Sequence, residues 1–268
     1  MVTAGVYLIV RSNVIYDQSD IARTAVVVIG TITLLMGAWI GTAKDDIKKV
    51  LAGSTMSQIG YMMLAAGLGP VGASFAIFHL ITHGFFKANM FLGAGSVMHG
   101  MGDDVNMRHY GGLAKVMRIT FLTFAMGYLA IVGFPFTAGF FSKDHIIEAA
   151  FHESTLIGVL ALIGAGITAY YMTRLMMMTF LGQKRWADDV HPHESPLSMT
   201  IPLIVLALAS IVGGILMNGW ITGWLAPTTG QPEYAMELLP TPVAWLTMGV
   251  VLVGAVIGWF LHRGTIER

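Results

Sequence analysis

The chain has no cysteine among its 268 residues. That excludes disulfides, thiolate metal sites and iron–sulfur ligation. Charge is also scarce. Only 11% of residues are charged, against about a quarter in soluble domains. Fifteen basic and fifteen acidic residues cancel, so there is no basic footprint for nucleic acid. No Gly-rich phosphate-binding loop is present.

What fills the space is apolar: 55% of the residues are hydrophobic. Runs near or above the roughly 18 residues needed to cross a bilayer occur at 24–40, 50–68, 119–138, 155–172, 201–217 and 243–261. The fold class is therefore all-α, a polytopic transmembrane helix bundle in an integral membrane protein. Barrel strands would alternate and would not form such blocks. Helices are expected at 1–10, 22–41, 49–69, 73–99, 118–151, 155–181, 198–222 and 241–262.

The opening "MVTAGVYLIV" stops at Arg11 and would cross only about half the hydrocarbon layer. It lacks the basic start and cleavage site of a signal peptide. Residues 1–21 read as the tail of a truncated membrane helix plus a loop, and the chain as a fragment.

The helix at 118–151 contains "GFPFTAGFF", and Pro135 should break it between Gly133 and Gly139. Basic residues decide whether this is one broken span or two. As one span, Lys44, Lys48, Lys49, Arg108, Lys115, Arg118, Lys184, Arg185, Arg263 and Arg268 share a side, and only Arg11 and Arg23 lie opposite. Two spans would split these twelve evenly. One broken span is expected, with the basic side, the loop 182–200 and the C-terminus cytoplasmic. Residues 201–268 supply two further transmembrane helices, with no titratable group inside the membrane.

The stretch "HLITHGFFKANMF" sets His79, His83 and Lys87 four residues apart. Each step turns about 40° around a helix, so the three make one stripe roughly 12 Å long. A mid-membrane lysine costs about 2.5–3.5 kcal/mol on insertion scales, and such residues mark ion pathways. The alternative is a stripe that only satisfies helix contacts. Two histidines and a lysine on one face argue against it. Zinc is disfavoured because "HxxxH" here lacks the glutamate of "HExxH" and has a cation beside it. No metal site is expected.

"GFFSKDHIIEAAF" places Lys143, Asp144 and Glu148 just past the break. Interrupted helices commonly hold ion sites at membrane depth. The competing reading makes Ser142 the cap of a soluble helix start. In "DDIKKVLAGSTMSQIGYM", Lys48 sits at the boundary, and Ser54, Gln58 and Tyr61 form a polar stripe entering the membrane. That stripe reads equally as helix–helix hydrogen bonding or as an aqueous lead-in. Arg174 reads as a snorkelling side chain. The segments "GDDVNMRHYGGLAK" and "GQKRWADDVHPHESP" read as surface connections, with His191 and His193 solvated. Lys87 is expected to point inward, with polar side chains leading to Lys143.

Together, "MVTAGVYLIVR", "DIKKVLAGSTMSQIGYM", "FHLITHGFFKANMFLGAGSVMH", "GGL" and "GFFSKDHI" resemble the family of the largest antiporter-like membrane subunit of respiratory complex I, the proton-pumping NADH–quinone oxidoreductase (subunit L in bacteria). The resemblance covers most of residues 1–190. It implies an antiporter-like five-helix repeat at 22–181, with the first repeat and the C-terminal lateral helix absent. It puts the proton-carrying stripe on His79, His83 and Lys87, the cytoplasmic-side lysine on Lys48 and the exit pair on Lys143 and Asp144. It further implies a bacterial inner membrane, other complex I membrane subunits as partners, protons as cargo and no cofactor in this chain. Two rivals stay open. One is the large subunit of a multi-subunit sodium/proton antiporter. The other is a non-catalytic fragment with an assembly role.

Overall fold

The computed structural model describes residues 2–230 and 241–264; Arg268, counted above on the basic side, lies outside them. Among the described residues regular structure is helical: α1 Val2–Arg11, α2 Asn13–Tyr16, α3 Asp20–Ala43, α4 Ile47–Gly67, α5 Pro70–Gly100, α6 Arg118–Val132, α7 Ala138–Glu153, α8 Thr155–Met176, α9 Leu197–Met217, α10 Trp220–Thr229 and α11 Pro242–His262. A π-turn, Met177–Leu181, extends α8.

Local chemistry sets most of the ends. Ser19 and Asp46 cap α3 and α4 by accepting backbone N–H groups. Pro70 opens α5 at a position where its missing N–H costs nothing. Helices α3 and α4 pack along a glycine seam. A Cβ on Gly30 would sit 2.5 Å from the Leu64 backbone nitrogen, so the two backbones approach as only small residues allow.

Among the described residues four helical segments are long and apolar enough to cross a membrane: Asp20–Ala43, Thr155–Leu181, Leu197–Met217 and Pro242–His262. Helices α4 and α5 have the length as well, at 21 and 31 residues, but carry polar stripes and lie inside the bundle.

The break around Pro135 is present. Helix α6 ends at Gly133, whose φ of 80° suits a residue without a Cβ. The N–H of Gly133 bonds to Ala130 O at 3.1 Å and that of Phe134 to Leu129 O at 2.9 Å, closing a Schellman motif. Phe136 is held at φ 66°, and α7 restarts at Ala138. One expected helix is shorter than its apolar pattern. The run 198–222 stops at Met217, because Asn218 leaves helical geometry and Gly219 turns at φ 78°. A separate short helix, α10, follows.

Candidate functional site

Helix α5 carries the stripe at the centre of the bundle. His79, His83 and Lys87 are 0%, 4% and 6% exposed, so all three face inward, away from lipid. Their partners come from two other helices, and a third helix reaches one of those partners. Lys87 Nζ donates to Ser54 Oγ of α4 at 2.7 Å, and Tyr171 Oη of α8 donates to the same oxygen at 2.9 Å. His79 spans two helices: its Nε2 lies 3.0 Å from Gln58 Oε1 of α4 and its Nδ1 2.8 Å from Ser142 Oγ of α7. Thr82 Oγ1 also meets Ser142 at 2.8 Å. Ser54 and Gln58 are one turn apart on α4, so a single helix face serves both ends of the stripe. Ser142 is fully buried in the second turn of α7 and caps nothing, which removes the soluble-helix reading of "SKDHIIE".

His83 is the middle member. Its ring lies 6.1 Å from that of His79, and its Nε2 is buried without a hydrogen-bond partner. Phe86 lies against both imidazoles, at 6.1 Å and 5.3 Å.

Lys143, next to Ser142, is 1% exposed. Its Nζ reaches Ile131 O in the last turn of α6 at 3.5 Å. The break thus sets a cation against the negative end of a half-helix. The Tyr61 ring lies 5.1 Å below the same ammonium, near enough for a cation–π contact, and Tyr61 Oη anchors on Ala161 O at 2.5 Å. Both carboxylate oxygens of Asp144 are buried without a hydrogen-bond partner. Glu148 is half-buried and lies 3.7 Å from His145. Lys48 is exposed at the start of α4. The structure therefore joins Lys87, Ser54, Gln58, His79 and Lys143 into one buried cluster, and places Lys48 and Glu148 outside it. Among the described residues no group of three His, Asp or Glu side chains could hold a metal ion.

The loops at the basic end close over this cluster. Asp45 pairs with Arg108 at 2.6 Å and with Arg174, which also donates to Lys44 O at 2.7 Å. Burial alone would raise the Asp45 carboxyl, but the two guanidinium groups outweigh it and hold the group below the usual carboxylate range. Arg174 is 8% exposed and points into this clamp, so it does not snorkel. Its carboxylate partner lies 129 positions away, beyond the reach of local pattern. Arg185 is buried too and donates to the carbonyls of Met107, Arg108, Met178 and Gln183. Glu194 accepts the N–H groups of Ile119 and Thr120 and so caps α6. The two segments read as surface connections thus carry structural anchors, although His191 and His193 are exposed as expected.

Sequence reasoning missed Tyr171. It stands in "AYYMTRL" as one aromatic among apolar neighbours, and only the packing of α8 on α4 brings its hydroxyl to Ser54.

Residues 1–168 match the family model described as NADH:quinone oxidoreductase/Mrp antiporter, TM. NADH-quinone oxidoreductase subunit L of Mycobacterium tuberculosis (strain CDC 1551 / Oshkosh) is 55% identical over 269 residues, covering 98% of this chain and 42% of that protein. The subunit L of Neisseria meningitidis (serogroup A, strain Z2491) is 44% identical over 239 residues, covering 81% and 35%. Among solved structures, a chain of the Mrp complex from Dietzia sp. DQ12-45-1b superposes with a TM-score of 0.84 at 25% identity, covering 98% of this chain and 29% of that one. The chain spans less than half the length of these relatives.

Proposed function

This chain belongs to the NADH:quinone oxidoreductase/Mrp antiporter transmembrane family, and we propose that it is a proton-translocating part of an NADH–quinone oxidoreductase. One observation carries the reading. A lysine buried inside the bundle, Lys87, is the end of a line of polar side chains that runs through His83 and His79 to Ser142, beside a second buried lysine on a broken helix. A buried lysine is poised to change protonation state, and imidazoles relay protons. The unpartnered polar atoms of Gln58, His83 and Asp144 call for water, the medium a proton path needs. The 55% identity to a subunit L supports this assignment.

In this reading protons enter from the cytoplasm near Lys48, pass Lys87 and leave through Lys143 and Asp144 toward Glu148. Electrons move in partner subunits, and this chain holds no redox centre. The basic loops and the C-terminus face the cytoplasm of a bacterial cell, as the lysine and arginine distribution indicates.

Lys87→Met in the full-length subunit tests it. The stem is kept and the titrating group lost. NADH-driven acidification of inverted membrane vesicles should fall, with the amount of assembled complex unchanged. Lys87→Arg should also impair it, because arginine does not release its proton. Undiminished pumping would refute the reading.

The TM-score of 0.84 to an Mrp complex chain favours a second reading, a sodium/proton antiporter subunit. Sodium-dependent proton exchange without NADH in an antiporter-deficient host would decide for it.

A further inference from the structure

Buried hydroxyls in this bundle commonly bond back to their own helix. Thr31 donates to Val27 O, Thr82 to Phe78 O, Ser142 to Ala138 O and Thr168 to Gly164 O, and the half-buried Thr55 beside Ser54 donates to Leu51 O. Among the described residues Ser54 makes no such bond. Its Oγ accepts twice instead, from Lys87 Nζ and from Tyr171 Oη. A serine hydroxyl has two lone pairs and one hydrogen, so both lone pairs are taken and the hydrogen is left to turn.

We propose that Tyr171 is a positioning residue for proton exchange at Lys87, acting through Ser54, an inference that rests on the proton-relay reading above. As an ammonium, Lys87 donates to Ser54 Oγ. When one proton leaves Nζ toward the His83 side, the neutral amine exposes a lone pair and needs a donor. Ser54 supplies it by turning its own hydrogen onto Nζ. One proton has left, Nζ keeps two hydrogens, and both hydroxyls keep theirs. In either state Tyr171 occupies a lone pair of Ser54 and holds Oγ within reach of Nζ. Without Tyr171, Ser54 is free to bond back to the carbonyl one turn earlier, as its neighbours do.

The placement of Tyr171 is itself fixed. The residue is fully buried, and a Cβ on Gly41 would lie 3.2 Å from its ring, so α3 closes one side. Three residues on, Arg174 ties the same helix to Asp45 and Lys44 at the start of the Ser54 helix. The clamp at the basic end therefore sets the α4–α8 spacing at which Tyr171 meets Ser54. The titratable groups bearing on Lys87 are His83 from α5, Tyr171 from α8 and, past His79 and Ser142, Lys143 and Asp144 from α7. Helices α6 and α9 bring no charged side chain beyond Arg118.

The test uses the assembled complex in inverted vesicles, with NADH-driven pumping followed across pH. Four variants of the full subunit are compared: Tyr171→Phe, Ser54→Ala, their combination and Lys87→Met. Tyr171→Phe keeps the ring and should leave assembly intact. It should lower pumping about fivefold, the factor one hydrogen bond is worth. It should also displace the pH profile by about 0.7 unit. The double variant should be no worse than Ser54→Ala alone. An unchanged rate and profile overturns the proposal. So does a loss that leaves the pH profile in place and adds to that of Ser54→Ala, which would make Tyr171 a packing element. Those results leave the proton-relay reading standing if Lys87→Met abolishes pumping. Undiminished pumping by Lys87→Met overturns that reading and this proposal together.

Discussion

Helices α5 and α11 belong to the same bundle and bury opposite things. Helix α5 turns its polar residues inward: His79, Thr82, His83, Lys87, Asn89 and Ser96 are all buried, while Leu92 is 47% exposed. Helix α11 buries only Ala244, Thr247, Gly254 and Gly258 and leaves Leu252, Val253 and Leu261 outside. Just 22% of the α11 span is enclosed, against 50% of the α8 segment it leans on. The difference teaches what burial means in a membrane. Lipid is as apolar as leucine, so an outer helix gains little by hiding leucine and instead docks through small residues. An inner helix hides what lipid will not solvate.

Exchanging the two kinds of position should give the largest effect. Leu208 of α9 is 54% exposed, and Leu208→Lys puts an ammonium on the outer face. The expected cost is about 2.5–3.5 kcal/mol, seen as a loss of membrane-inserted protein. Lys87→Met should carry no such cost while removing pumping. Equal yields for Leu208→Lys and the unaltered chain would mean that α9 faces water or protein there.

Next, Gly254→Leu probes the seam that replaces polar contacts on α11. Gly254 packs directly on the Gly166 carbonyl, and Gly258 on that of Tyr170. Overpacking should destabilise the bundle by about 1–3 kcal/mol, read as a lower thermal midpoint in detergent. An unchanged midpoint would show that α11 is not held by this seam.

A smaller effect is expected at the basic end. Arg174→Met removes a partner of Asp45 and should cost about 1 kcal/mol, because the half-exposed carboxylate is screened by solvent. The pH sign follows from the lowered Asp45 group. Its contribution is present above the usual aspartate value of about 3.9 and is lost as pH falls through its lower folded value. Unfolding measured against pH should therefore show the Arg174→Met penalty shrinking only in strong acid. A penalty that shrinks already near neutrality would place the effect elsewhere.

Last, Ser210→Ala on α9 should change stability by less than about 0.5 kcal/mol and leave pumping intact. Among the described residues the Ser210 hydroxyl bonds only to Leu206 O on its own helix. Ser54→Ala, a chemically identical change on α4, should impair pumping. Equal outcomes would erase the distinction between the two regions.

Much of this was legible in the residues. Long apolar runs announced the helices, and Pro135 between two glycines announced the break, because backbone rules act within a few positions. The four-residue spacing of His79, His83 and Lys87 announced the stripe. Two local patterns misled. The apolar run through Trp220 hid the helix end at Met217, since hydropathy does not report a turn at Gly219. Arg174 looked like a side chain reaching for the surface, because its partner Asp45 belongs to another helix.

The sequence by itself determined where the chain is helical, where one helix breaks and which titratable groups share a face. Only the tertiary structure decided who meets whom: Ser142 with His79, Tyr171 with Ser54, Tyr61 beneath Lys143, Arg174 with Asp45. Helical periodicity is a local property and fixes the direction of a side chain around its own axis. The neighbour in that direction depends on how helices dozens of residues apart pack, through glycine seams and loop clamps that no single stretch of sequence contains.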